Sequence, residues 1–298
     1  MESHHVSSVR RAYNRIGRRL PTSLRRRWLY AGVHGRLPHF SAPQSFSDKV
    51  NWRILHDRRP ELAWTCDKLR MKEHAAGTGA PVRVPETLWV GTDVRELADV
   101  DLPEHWVIKP THRSGVVHFG DATINLEALA VRTRPWLADL QSDVMREWAY
   151  SRAQQVLFVE ELLGEPGNPP IDYKFFVFDG EPSMIQVDLD RFTNHERSLY
   201  TPDWQLLDVT LGPHANRPLP RPDLLPEMLE VAAKLATGFE FMRVDLYALP
   251  DGVAFGEYTP YPSSGLQRFV PASYDYELGA KCFLPPPPSV RPGAVREV

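Results

Sequence analysis

The stretch FMRVDLYALPDGVAFGEYTPYPSSG, residues 241–265, has the pattern of a β-hairpin. Residues 242–249 and 253–259 have the apolar, β-rich composition of strands, and Pro250-Asp251-Gly252 between them is a turn sequence. A three-residue turn pairs Leu249 with Val253, and this fixes the register of the rest of the hairpin.

In that register, Asp245 lies opposite Glu257 and Arg243 lies opposite Thr259. Because side chains alternate between the faces of a strand, all four residues share one face. Two facing carboxylates repel each other unless a cation lies between them.

Two readings of this acidic pair remain open. Carboxylate oxygens completed by phosphate and water are the ligands of a Mg²⁺ ion that serves a nucleotide, and the neighbouring Arg243 suits a phosphate or carboxylate. Alternatively, the face is solvated and Arg243 bridges the two acids.

Composition limits the class of protein. The chain has 298 residues, 42% hydrophobic and 24% charged, which is ordinary for a soluble globular protein. It has no apolar run of membrane-spanning length and no apolar signal core. Cys66 and Cys282 are the only cysteines, which excludes a disulfide framework or a cysteine zinc cluster. We therefore expect a cytoplasmic protein.

Charge is unevenly distributed along the chain. Residues 1–60 hold 13 Lys and Arg against Glu2, Asp48 and Asp57, whereas the other 238 residues hold 22 against 35 acids. The basic N-terminal arm either binds an acidic partner or packs on the acidic body of its own chain. A nucleic-acid partner is not expected, because the aromatic residues of the arm have the spacing of core-facing positions.

The remaining pattern predicts the other elements. Helices are expected within 7–33, broken at Pro21, and over 46–55, 62–76, 125–154 and 225–237. Strands are expected over 84–91, 105–110, 116–120 and 155–165, with a hairpin over 172–191 that turns at Asp179-Gly180, whereas 198–223 is Pro-rich and irregular. Asp172 and Lys174 share one face of this second hairpin, and Tyr173, Phe175 and Val177 share the other.

A polar, glycine-containing loop at 111–115 separates two of these strands. Such a loop can lay backbone N–H groups over phosphates, and Lys109 at the end of the preceding strand directs a cation to the same place. The alternative is an ordinary hairpin with a solvated lysine.

The motifs, taken in order, are DKLRMKEH (67–74), WVIKPTHRSG (106–115), FVEELL (158–163), DYKFFVFDGEP (172–182), DLDR (188–191) and RVDLY…FGEYTPYPSSG (243–265). Together they resemble the TupA-like family of the ATP-grasp superfamily over residues 46–285, named for teichuronopeptide biosynthesis. The resemblance implies an α+β fold in which two antiparallel-sheet subdomains clasp ATP, with a basic helical N-terminal extension. It implies the boundaries 1–62 for the N-terminal region, 63–104 for an α/β subdomain, 105–160 for the lid, 161–285 for the C-terminal subdomain and 286–298 for a disordered tail.

The resemblance also implies roles for individual residues. ATP is held by Lys68, Lys109, the loop residues His112, Ser114 and Gly115, the hinge residues Glu160, Glu161 and Leu162, and Asp172, with Glu165 as the alternative for the ribose. Lys174, Arg191 and Arg243 act on the γ-phosphate or the substrate; Asp245, Glu257 and Thr259 bind Mg²⁺; and Arg191, Ser263, Ser264 and Gly265 bind a substrate carboxylate.

Two positions depart from the family pattern. Arg113 stands where relatives usually have glycine, and it either stiffens the phosphate loop or adds a cation over it. Thr259 stands where many ATP-grasp enzymes have asparagine, which leaves one or two Mg²⁺ ions open.

The expected function is an ATP-dependent carboxylate–amine ligase that works through an acyl phosphate in natural-product or cell-envelope biosynthesis. Its expected partners are small-molecule or peptide carboxylates and amines. The alternatives are a small-molecule kinase on the same fold and a nucleotide-binding protein without chemistry.

Overall fold

A computed structural model describes residues 20–138, 145–189, 196–212 and 217–285. Arg191, residues 1–19 and the 286–298 tail lie outside this range. The helices are α1 (Thr22–His34), α2 (Phe46–His56), α3 (Pro60–Trp64), α4 (Lys68–Gly77), α5 (Leu126–Thr133), α6 (Leu225–Leu235) and α7 (Ser273–Lys281). The strands are β1 (Thr87–Gly91), β2 (His105–Pro110), β3 (His118–Asp121), β4 (Leu157–Glu161), β5 (Asp172–Phe178), β6 (Glu181–Leu189), β7 (Glu196–Tyr200), β8 (Thr210–Leu211), β9 (Phe241–Leu249), β10 (Gly252–Thr259) and β11 (Phe269–Val270).

The larger sheet has five antiparallel strands in the order β10-β9-β5-β6-β7. Its apolar face, which includes Phe175, Val187 and Val244, packs against the buried side of α6 and forms the main core. The alternation of side chains therefore leaves the charged residues of β5 and β9 together on the opposite face.

The smaller sheet has four antiparallel strands in the order β1-β4-β2-β3. Trp106, Ile108 and Val159 point to one side, where they pack with Leu129 of α5 in a separate core. Lys109 and Glu160 alternate to the other side. The smaller sheet thus has one face in a hydrophobic core and one polar face. The polar face of the larger sheet is charged around Asp245 and apolar where Phe176, Phe178 and Phe241 lie. This is the antiparallel, α+β architecture expected from the sequence.

The N-terminal helices pack on the larger sheet. Phe46, at the start of α2, makes edge-to-face contacts with Phe176, Phe178 and Phe241. Ser45 caps the helix by accepting a hydrogen bond from the Asp48 N–H. In the described part of the chain, no helix has the length and apolar character needed to span a bilayer.

Three predictions of secondary structure were wrong. The predicted 62–76 helix is two helices, because the Asp67 side chain accepts hydrogen bonds from the Leu69 and Arg70 N–H groups and starts α4 anew. The predicted 125–154 helix ends at Thr133, and 3₁₀ turns occupy Arg134–Leu137 and Trp148–Arg152. The stretch 198–223 is not wholly irregular: it contains the end of β7 and all of β8, short strands formed by pairing with β6 and β11.

The turn of the 241–259 hairpin also differs from the prediction. Leu249 pairs with Gly252 rather than Val253, so the turn has two residues instead of three. A β-bulge between Phe255 and Glu257 then inserts Gly256 as one extra residue. The two errors cancel, and Asp245 still pairs with Glu257 and Arg243 with Thr259 as predicted.

Candidate functional site

The polar face of the five-stranded sheet carries a continuous charged cluster. Lys174 of β5 lies opposite Asp245 of β9, which lies opposite Glu257 of β10. On the other side of β5, Asp172 lies opposite Asp188 of β6. The alternation that buries the apolar residues of these strands therefore places their charged residues side by side.

Asp245 is the centre of this cluster. Its carboxylate accepts two hydrogen bonds of 2.7 Å from Arg243, through Nε and Nη2, and one of 2.7 Å from Lys174 Nζ. Burial raises the pKa of Asp245 above its ordinary value, although Arg243 and Lys174 act in the opposite direction. Burial alone would lower the pKa of Arg243, but Asp245 and Glu257 outweigh it and keep the guanidinium charged.

Glu257 and Thr259 complete the predicted metal set. Arg243 Nη2 donates to Glu257 Oε1 at 3.2 Å and to Thr259 Oγ1 at 2.8 Å. The Glu257 side chain is 30% exposed, whereas that of Asp245 is 2% exposed, so Glu257 is the acid that opens to solvent. The described residues contain no group of three His, Cys, Asp or Glu side chains arranged as a metal site.

The carboxylates of Asp245 and Glu257 are suitable ligands for Mg²⁺. Mg²⁺ at nucleotide sites is commonly held by one or two carboxylates together with phosphate and water, and Asp245 and Glu257 supply two carboxylates on adjacent strands. Arg243 and Lys174 neutralise these oxygens here. A bound ion would have to share Asp245 with them.

Asp172, one of the two candidates for the ribose, is buried beneath the charged cluster. It is 2% exposed and its carboxylate accepts a hydrogen bond from Lys174 Nζ, which also lies 3.9 Å from Asp188 Oδ2. Glu165, the alternative for the ribose, lies in an exposed turn. The choice between the two acids stays a prediction.

Glu160 of the four-stranded sheet pairs with two lysines, the predicted phosphate cation Lys109 of β2 and Lys72 of α4. Lys109 Nζ donates to Glu160 Oε1, and Lys72 Nζ donates to Glu160 Oε2 at 2.9 Å and to Thr87 Oγ1 at 2.7 Å. Burial disfavours ionisation of Glu160, but Lys109 and Lys72 outweigh it and hold the pKa of that carboxyl below its ordinary value.

Lys72 was missed by the sequence reasoning. The signal was present, because Lys72 follows Lys68 by four residues in a predicted helix, and this spacing puts both lysines on one helix face.

Lys68 connects the two halves of the site. Its Nζ donates to the Arg113 carbonyl at 2.8 Å, which holds the 111–115 loop. Burial lowers the pKa of Lys68. The negative charge of Glu257 opposes this shift, and the positive charge of Lys109 adds to it. Helix α4, which carries Lys68, contacts β10, the strand that carries Glu257. The lysines of α4 and β2 therefore lie beside the charged cluster of the larger sheet, and we call the region between them the cleft.

The 111–115 loop presents only part of the predicted set to that cleft. Ser114 is exposed and its hydroxyl lies 2.9 Å from the Tyr150 hydroxyl, and Gly115 has a left-handed φ of 71°. The His112 side chain is 1% exposed, so its ring is held inside the protein. Arg113 donates to the carbonyls of Pro135 and Trp136, which favours the stiffening role over a cation above the phosphates.

The predicted hinge lies at the end of β4. The Glu161 carboxylate accepts a 2.8 Å hydrogen bond from the Glu86 N–H and pairs with Arg83, which also pairs with Asp251 in the hairpin turn. Leu162 follows, half-buried. Arg83 thus joins the end of the smaller sheet to the turn of the larger one.

The predicted substrate turn, Pro262–Gly265, is a tight turn in which Ser263, Ser264 and Gly265 have left-handed φ values of 47°, 58° and 60°. The Ser264 hydroxyl donates to Glu147, a buried acid that the sequence reasoning did not single out. Ser263 is exposed and donates to Gln267.

The chain is similar to the solved structure of the ATP-grasp ligase PsnB complexed with minimal precursor, at 16% identity and a TM-score of 0.38, over 67% of this chain and 54% of that one. It is similar to D-alanine–D-alanine ligase from Bacillus anthracis complexed with ATP, at 13% identity and a TM-score of 0.40, over 66% of this chain and 53% of that one. The chain spans about half the length of these solved structures.

No curated protein matches the chain significantly. The profile described as TupA-like ATPgrasp matches residues 48–283, which is most of the chain and contains every described residue of the cleft cited above. The chain therefore belongs to the TupA-like ATP-grasp family and has the ATP-grasp fold.

Proposed function

We propose that this protein is an ATP-dependent carboxylate–amine ligase that forms an amide through an acyl phosphate and releases ADP and phosphate. One observation carries the proposal: the lysines of α4 and β2, Lys68, Lys72 and Lys109, lie beside the strands that hold the Arg243–Asp245–Glu257 cluster. Phosphoryl transfer needs this neutralisation of charge and positioning of oxygens rather than a protein nucleophile.

Each wall of the cleft has its own task in this proposal. Lys68 and Lys109 hold the phosphates of ATP, and Ser114 and Gly115 close over them. Asp245 and Glu257, with Thr259, would hold Mg²⁺, which when bound neutralises charge on the phosphate oxygens. Glu160, Glu161 and Leu162 stay the proposed hinge beside adenine.

The chemistry consists of two substitutions. A carboxylate oxygen of the substrate attacks the γ-phosphorus, and the bond to the bridging oxygen breaks to release ADP. The amine then attacks the acyl carbon, phosphate leaves with the bonding electrons, and the nitrogen gives up a proton to solvent. Arg243 and Lys174 stabilise the charge on the transferred group, with Arg191 as a further proposed contact.

Ser263, Ser264 and Gly265 receive the substrate carboxylate in this proposal. The substrates are small molecules or peptides of natural-product or cell-envelope biosynthesis in the cytoplasm. A kinase on the same fold would transfer the phosphoryl group without releasing phosphate, and this difference separates the two reactions.

Hydroxylamine trapping tests the proposal. The protein is incubated with Mg²⁺, ATP, hydroxylamine and pools of amino acids, peptides and sugar acids, and hydroxamate, ADP and phosphate are measured. We expect the three products in equal amounts. ADP with a phosphorylated product and no free phosphate would establish a kinase instead, and binding of ATP without turnover in any pool would contradict the ligase.

A further inference from the structure

Arg26, in helix α1, reaches into the substrate turn from outside the region that the family profile matches. Its side chain is fully buried. The guanidinium donates to Asn51 Oδ1 through Nε at 2.9 Å and through Nη2, and it also donates to the Ser264 carbonyl and, at 3.2 Å, to the Met145 carbonyl. Hydrogen bonds from a charged donor are stronger than neutral ones.

The turn that Arg26 contacts is conformationally strained. Ser263 and Ser264 both have left-handed φ values, a conformation that is unfavourable for residues other than glycine. Such a conformation persists only where the surroundings enforce it. The turn therefore needs contacts that hold its backbone, and these are supplied from α1 and α2.

Asn51 joins Arg26 to the end of the turn. While its oxygen accepts from Arg26, its Nδ2 donates to the Gly265 carbonyl at 3.1 Å and to the Ser47 carbonyl at 2.8 Å. A Cβ at position 265 would lie 2.6 Å from Asn51 Nδ2 and 2.9 Å from the Ser47 oxygen. Only glycine fits between α2 and the turn in this arrangement.

The charge on Arg26 is maintained inside the protein. Burial lowers its pKa to about 10, and the carboxylate of Glu147 acts in the opposite direction. Glu147 in turn accepts the hydroxyl hydrogen of Ser264. The carbonyl of Ser264 thus faces a buried cation and its hydroxyl faces a buried anion.

We propose that Arg26 is a positioning residue of the ligase site: it holds the 263–265 turn in its left-handed conformation and thereby sets the affinity for the substrate carboxylate. This inference rests on the proposed function of the turn. If Arg26 has this role, helix α1 supports the substrate turn of its own chain, and this part of the basic arm belongs to the catalytic domain.

Hydrogen–deuterium exchange tests the structural half of the inference without a substrate. The variants are Arg26→Gln and Arg26→Lys, and the control is Arg27→Gln, which changes an exposed arginine of the same helix. In Arg26→Gln we expect peptides covering residues 260–268 to exchange about tenfold faster than in the wild type, with the β9 peptides unchanged. Equal exchange in the wild type and both Arg26 variants would overturn the proposal.

Steady-state hydroxamate kinetics test the functional half. We expect Arg26→Gln to raise the KM for the carboxylate substrate about tenfold or more, with the KM for ATP unchanged, and Arg26→Lys to be intermediate. Equal increases of both KM values would mean that Arg26 only stabilises the fold, and would overturn the positioning role. If Arg26→Gln fails to fold, as judged by thermal unfolding and binding of Mg²⁺ and AMPPNP, Arg26→Lys carries both measurements.

The two proposals fail in different ways. Absence of hydroxamate from the wild type in every pool overturns the proposed ligase, and with it the assignment of the turn to a substrate carboxylate. Normal hydroxamate formation with an unchanged KM in Arg26→Gln overturns only the role of Arg26.

Discussion

Asp245 and Glu257 face each other on adjacent strands, but their removal has different expected consequences. Glu257→Gln changes a partly exposed carboxylate, so we expect a loss of turnover of about a hundredfold or more with a stability change below about 1 kcal/mol. Asp245→Ala removes the carboxylate that the buried Arg243 and Lys174 share, and we expect this loss of a buried ion pair to cost about 3–5 kcal/mol.

Hydroxamate formation and urea unfolding measure these two effects, with the exposed Glu277→Gln as the control for charge. Wild-type turnover in Glu257→Gln would contradict its assignment to the metal set. Unchanged stability in Asp245→Ala would contradict the coupling of Asp245 to its two cations.

Lys72 shares Glu160 with Lys109, and this sharing predicts a role in binding nucleotide. Because both lysines bind Glu160, Lys72 can still neutralise this carboxylate when Lys109 binds a phosphate instead. We expect Lys72→Met to weaken the binding of Mg²⁺ and AMPPNP about tenfold, because Lys109 must then balance Glu160 alone. Isothermal titration measures the change, and Arg70→Gln, an exposed position of the same helix, should bind as the wild type does.

The lowered pKa of Glu160 predicts the pH dependence of its contribution to stability. The ionised carboxylate stabilises the fold above its ordinary pKa of 4.5, and that contribution disappears as the pH falls through the lowered value. We therefore expect the stability difference between wild type and Glu160→Gln to be largest at pH 7 and to shrink below about pH 4.5. Urea unfolding at a series of pH values measures it, and a difference that grows toward acid pH would contradict the assignment.

At the scale of elements, the sequence predicted the strands of the 241–259 hairpin and the face that each side chain occupies, because alternation depends only on local pattern. It could not predict the turn length or the bulge. The turn length and the bulge each change the register by one residue. The only sequence signals for them are the glycines at 252 and 256. The predicted pairing of Asp245 with Glu257 was therefore correct although the predicted turn was wrong, because the bulge compensates for the shorter turn.

Gly256 is the residue on which this register depends. A Cβ there would lie 2.9 Å from the Asp245 carbonyl oxygen, so Gly256→Ala must displace the backbone that carries Asp245. We expect a loss of about 1–3 kcal/mol in stability. We also expect the proposed Mg²⁺ site to bind Mn²⁺, used as the probe ion, at least tenfold more weakly.

Gly252→Ala in the same hairpin provides the matched control. Its φ of 127° makes alanine unfavourable, but nothing lies closer than 4.0 Å to the added carbon. We expect a loss of stability with Mn²⁺ affinity within about twofold of the wild type. Equal Mn²⁺ affinity in Gly256→Ala and Gly252→Ala would contradict a role for the bulge in aligning the metal set.

At the scale of the molecule, the predicted fold class and family were confirmed, whereas contacts between distant segments were not foreseen. Arg26 and Glu147 meet at Ser264 from positions more than a hundred residues apart, and no local pattern encodes that meeting. The basic arm left two interpretations open, a partner or its own chain. Arg25 and Arg26 are buried, which supports packing within the chain for α1.

The distribution of charge across the cleft makes a last prediction about the whole protein. Mg²⁺ and AMPPNP at about a hundred times the dissociation constant should raise the free energy of unfolding by about 2.7 kcal/mol, and the unfolding midpoint by about 5 °C or more. With EDTA we expect most of this increase to vanish, because the triphosphate then faces Asp172, Asp245 and Glu257 without a divalent ion.

Glu257→Gln sharpens this test, since it removes one of the repelling charges. Its midpoint with AMPPNP should depend less on EDTA than that of the wild type, while Glu277→Gln should behave as the wild type does. Thermal unfolding with and without EDTA measures all three proteins. Equal stabilisation of the wild type by AMPPNP in both conditions would mean that the lysines alone hold the triphosphate, and that the acids of β9 and β10 serve the fold rather than a metal ion.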